Sequence, residues 1–72
     1  MDEVQKKLQI LLDFWIVHNS EHMKEFRDWA DKVASSSTEV AQQLQAAATK
    51  MTAVSNELIK ARQALSRSKE TH

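Results

Sequence analysis

Glycine, proline and cysteine are all missing from this 72-residue sequence, and each absence closes a route. Average chains hold roughly 7 % glycine and 5 % proline. Without them the tight turns that join β-strands lose their usual residues, so a β-rich fold is disfavoured and long uninterrupted helices remain. Without cysteine no disulfide can staple the chain, although a sequence this short rarely builds a core that stabilises it alone. An excess of one charge is missing too. Ten basic residues balance ten acidic ones, whereas a nucleic-acid binder gathers a basic surplus on one face. Nor is there a long apolar run. The stretch from Leu8 to Val17 is interrupted by Gln9 and Asp13, lacks a small-residue cleavage site after it, and is far shorter than the roughly 20 residues that span a bilayer. These absences predict one soluble cytoplasmic domain over residues 1–72, with neither nucleic acid nor membrane as partner.

What is present is helical periodicity. Val4, Leu8, Leu11, Leu12, Trp15, Phe26, Trp29 and Val33 fall at spacings of three and four, the signature of an amphipathic helix, and predict a first helix over about residues 2–34. Asp2 and Glu3 place negative charge where a helix N-terminus favours it. The run Ser35-Ser36-Ser37-Thr38 then breaks the pattern. Ser36 with Glu39 fits a capping box and Ser37 serves equally well as the N-cap, so a turn is expected over about residues 35–38 and a second helix over about 38–68. That helix carries an unbroken four–three alternation, Val40, Leu44, Ala47, Met51, Val54, Leu58, Ala61 and Leu65, with Ala41 and Ala48 extending it on one side. Such a repeat is the seam of a coiled coil.

Two helices of this length joined by a short turn must lie antiparallel, which defines the fold class: all-α, a two-helix αα-hairpin. With the turn centred on Ser36–Ser37, facing residues have numbers summing to about 73, give or take a turn of helix. Trp15, His18, His22 and Trp29 are then expected to meet Leu58, Ser55, Met51 and Leu44. Charge agrees with this arrangement. Residues 1–36 carry seven acids and five bases, residues 37–72 three acids and five bases, so a net acidic helix lies against a net basic one. Each helix touches its mate along a single line and cannot bury stripes this wide. Ile10, Phe14, Ile16, Val17 and Ile59 are left over, and the expectation is a homodimer in which two hairpins form a four-helix bundle, usually about a two-fold axis. Helices of a partner protein would meet the same need.

The chemically pointed stretch is Phe14-Trp-Ile-Val-His-Asn-Ser-Glu-His22 with its continuation to Trp29. On the expected seam His18 and His22 occupy consecutive buried positions between Trp15 and Trp29, with Asn19 beside them and Glu25 a turn further on. Buried polar groups without partners cost on the order of 1–3 kcal/mol each, so something must satisfy them. Two readings stay open. Histidines at i and i+4 project from one helix face and can share one ion. Imidazole suits zinc or nickel, with Glu25 as a further ligand or as a carboxylate orienting an imidazole, and Asn19 in support. The same residues can instead fix helix register and oligomeric state through hydrogen bonds, with no metal. A rotated seam would turn them to solvent. No nucleophile–base pair, glycine-rich phosphate cradle or acid-rich di-iron pattern accompanies them, so a binding or assembly role is expected ahead of a small bundle enzyme.

The segment Trp15-Ile-Val-His18-Asn19-Ser-Glu-His22, followed by Phe26 and Trp29, resembles a small family of uncharacterised prokaryotic helical-hairpin proteins. They carry W-x-x-H-N-x-x-H in the first helix and an alanine-rich second helix. Members often have a histidine immediately before the tryptophan, where this sequence has Phe14, and that departure removes one potential ligand.

Overall fold

The computed structural model describes residues 2–70, with side chains as far as Ser68. It contains two helices, α1 over Glu3–Val33 and α2 over Thr38–Glu70, folded back on each other as an antiparallel hairpin of 56 × 15 × 12 Å. The all-α hairpin expected from the periodicity is what forms.

Each helix start has a local cause. Asp2 is the N-cap of α1. Its carboxylate Oδ1 accepts from the Gln5 amide at 2.8 Å while Gln5 Oε1 accepts from the Asp2 amide at 3.2 Å, a reciprocal capping box that satisfies two otherwise orphaned donors. At the turn, the amides of Ser36 and Ser37 both donate to the Val33 carbonyl, at 2.9 and 2.8 Å. Ser37, rather than Ser36, then caps α2, its Oγ accepting from the Val40 amide at 3.2 Å. Ala34, the C-cap of α1, keeps right-handed helical dihedrals, and among the described residues none has positive φ. This turn closes without a positive φ among the described residues, so glycine's conformational freedom is not needed.

The contact between the helices is narrow. The less exposed residues of α1 are Gln5, Gln9, Leu12, Ile16, Asn19, Met23, Phe26, Ala30 and Val33, with Ser20 and His22 beside them. On α2 the stripe runs Ala41, Leu44, Ala48, Met51, Ser55, Leu58, Arg62 and Leu65. Both are four–three seams. Among the described residues, the buried hydrophobic core is only Leu12, Ala30, Ala48 and Leu65. Half of that core is alanine, a side chain small enough to let two backbones approach closely. Pairing follows a sum of 75: Asp13 meets Arg62 at 2.9 Å and Met23 Sδ lies 2.9 Å from Thr52 Oγ1. This lies within a turn of the expected register.

The rotation of α1 differs from the expected one. Trp15, His18 and Trp29 are exposed and His22 is half-buried, so none of the four is in the buried core. The helix is turned by about one residue, roughly 100°, so that Leu12, Ile16, Met23 and Ala30 face the partner helix instead. On α2 Val40, Val54 and Ala61 are exposed while Ala41, Ala48, Ser55 and Arg62 are less so; Ala47 is half-buried, and Leu44, Met51, Leu58 and Leu65 stay in the contact. Close approach over alanine and serine decides the phase. The bulky tryptophans would hold the helices apart.

Candidate functional site

Turning α1 in this way leaves its other stripe open. Val4, Leu8, Leu11, Trp15, His18, His22, Glu25 and Trp29 form a second four–three seam, displaced by about 100° from the first. Leu11, Trp15 and Trp29 remain 43 %, 39 % and 59 % exposed. In an antiparallel pair, the position just before each contact residue emerges on the same side from both helices. Trp15, His22 and Trp29 therefore share a side of the hairpin with Val40, Ala47, Val54 and Ala61 of α2, of which Val40 and Val54 are also exposed.

At the middle of this seam the histidines form an ordered group. His18 Nε2 and His22 Nε2 are 2.9 Å apart, a hydrogen bond in which one ring carries the proton and the other accepts. The rings meet edge to face with centroids 4.4 Å apart and planes at 90°. Phe14 stacks on His18 at 5.3 Å, and Phe26 stacks on His22 at 6.1 Å. The four residues Phe14, His18, His22 and Phe26 are thus a ladder of rings along an i, i+4 ridge, where helix geometry brings side chains one above the next. The phenylalanines belong to the group as much as the histidines do. Their signal in the sequence was the uniform spacing of four, obscured because Phe14 falls outside the tryptophan–histidine seam.

Glu25 lies beside the other nitrogen of His22, with Oε1 3.9 Å from Nδ1. That exceeds hydrogen-bond length and puts the carboxylate on the far side of the ring from the facing Nε2 atoms. Asn19 is half-buried and lies on the stripe that faces α2, away from the imidazole pair. His18 is exposed and His22 half-buried, so the hairpin by itself does not enclose the group. Among the described residues, no cluster of three or more His, Cys, Asp or Glu side chains within one chain could hold a metal ion. Lys32 Nζ sits 4.5 Å from the Trp29 ring centroid, a cation–π contact at the end of the seam.

The opposite side of the hairpin is different in kind. Asp13 accepts from Arg62 Nε, and Arg62 Nη1 donates to Ser66 Oγ at 2.9 Å. Nearby, a cleft is lined by Ile16, Ser20, Met23, Thr52, Ser55 and Ile59. The Thr52 hydroxyl lies between Met23 Sδ and the Ala48 carbonyl, the latter at 3.2 Å. Among the described residues no helix is long and apolar enough to cross a membrane.

Fold and site together define a class: a minimal helical hairpin that satisfies one seam internally and presents a second, aromatic one outward. The profile of a family described as a domain of unknown function, DUF8180, matches residues 8–65. The chain belongs to that family. The matched region spans the histidine ladder and nearly the whole helix contact. A comparison with curated proteins and with solved structures finds no match to either.

Proposed function

We propose that this DUF8180 member is a non-enzymatic assembly module whose working form is a homodimeric four-helix bundle, closed through the second seam of α1. The observation that carries this reading is that seam itself, a four–three stripe from Val4 to Trp29 that holds both tryptophans and lacks a helix to pack against. Surface area supports it. The chain exposes 5411 Å², whereas a compact monomer of its mass exposes roughly 4,600 Å². The excess is about 800 Å², the share each partner buries in a standard interface.

A second copy fits the seam better than an unrelated helix because the stripe is self-complementary. Reversed about Ser20, His18 exchanges with His22, Phe14 with Phe26 and Leu11 with Trp29. A two-fold axis perpendicular to α1 at that level would thus set histidine against histidine, phenylalanine against phenylalanine and Trp29 against Leu11, with Trp15 beside Glu25, residue i meeting j and j meeting i as an isologous contact demands. The histidines then become the polar layer that fixes register, since a slip of one heptad in either direction would set His18 against a tryptophan. We take the Trp15–His22 segment to be the signature of this prokaryotic family, and the cytoplasm as its setting.

Sedimentation equilibrium of the full chain tests the reading. The expected mass is twice 8.3 kDa at micromolar concentration. A helical monomer that melts cooperatively at all concentrations would contradict self-assembly and assign the seam to helices of a different protein.

A further inference from the structure

We propose that His18 and His22 form half of a transition-metal site that a second copy of the chain completes, with one ion held by two chains. The inference rests on the homodimer proposed above and adds the ligand at its axis. The two Nε2 atoms already converge at 2.9 Å. Two imidazole nitrogens on one tetrahedral zinc, each bonded at about 2.0–2.1 Å, stand about 3.3 Å apart. The pair therefore needs to open by only about 0.4 Å to admit an ion between its lone pairs. Phe14 and Phe26, stacked on the outer faces of the rings, limit other rotamers and hold both nitrogens toward the same point. Metal-binding imidazoles commonly have a carboxylate by their second nitrogen, and Glu25 lies beside Nδ1 of His22. That placement favours the Nδ1–H tautomer and leaves Nε2 free to ligate. Whichever ring carries the proton between the two Nε2 atoms would move it to its Nδ1 when the ion enters.

One hairpin supplies only two such nitrogens, and two ligands hold a transition ion weakly where a closed tetrahedral site has four. Reversal about Ser20 brings the partner's His22 to His18 and the partner's His18 to His22, which gives four imidazoles at one level. An all-imidazole site selects zinc, nickel or cobalt over magnesium and calcium, which require oxygen ligands. Alone, the hairpin has the clamp; the dimer has the site.

The test uses the chelator-stripped full chain, titrated calorimetrically with Zn²⁺ and then with Ni²⁺, with sedimentation run on the same samples. Submicromolar binding at one ion per two chains is expected, and Co²⁺ should give the intense visible absorption of a tetrahedral site. The double variant His18→Leu/His22→Leu replaces the layer with apolar side chains that suit a helix interface. It should stay dimeric and lose affinity by about 100-fold or more. A wild-type dimer that takes up no ion overturns the metal site and leaves the assembly standing. One ion per chain, or a leucine variant that binds as the wild type does, overturns the shared site. A monomer that binds no ion overturns both readings.

Discussion

The two long sides of this hairpin are built on the same pair of backbones and solve the burial problem in opposite ways. On one side lie Asp13, Ser20, Thr52, Arg62 and Ser66. Two side-chain hydrogen bonds that cross between the helices, Arg62 to Asp13 and Thr52 to Met23, lie on it, so polar groups there find partners within the chain. On the other side lie Leu8, Trp15, His22 and Trp29 with Val40 and Val54. There, the ring contacts run along α1 alone, through Phe14, His18, His22 and Phe26 and from Lys32 to Trp29. Short polar side chains can close a side from within one hairpin. Large apolar ones need a surface to meet, and two helices leave none.

Three substitutions probe that contrast, and the largest effect belongs to the open side. Trp15→Glu places a charge at the centre of the second seam, where a dimer would bury it without a partner. The dimer dissociation constant should rise by about 100-fold or more, read by sedimentation, and the melting temperature should become nearly independent of concentration. Leu12→Ala comes next. It removes a 3 % exposed side chain from the internal contact and should cost about 2–5 kcal/mol in urea unfolding, whatever the oligomeric state. The closed polar side should be the most tolerant. The Asp13 carboxylate is 58 % exposed, so Asp13→Asn should cost less than about 1 kcal/mol and leave the sedimentation mass unchanged. If Asp13→Asn dissociated the dimer and Trp15→Glu did not, the sides would have been assigned the wrong way round.

The sequence announces some of this and conceals the rest for a physical reason. Hairpin topology is legible because the four–three period is unbroken on both sides of a serine run, and because charge divides between the halves. Asp13 against Arg62 is that division in atomic form. The rotation of α1 is not legible from period alone, since Leu12-Ile16-Met23-Ala30 and Leu11-Trp15-His22-Trp29 share the same spacing. Hydrophobic weight favours the second stripe. Packing favours the first, because Ala30, Ala41, Ala48 and Ser55 permit a close approach that indole rings forbid. The pairing of His18 with His22 follows from spacing of four, but the flanking stack of Phe14 and Phe26 needed the side-chain directions of the folded helix.

The two tryptophans, with no tyrosine in the chain, make the central claim directly measurable, because both sit on the open seam. Their emission and acrylamide quenching should be followed while the full chain is diluted. The account predicts blue-shifted, quencher-protected emission at high concentration that shifts red in step with dissociation of the dimer. Emission that stays red and fully quenchable at every concentration would contradict it, because the aromatic seam would then never be covered by a second chain.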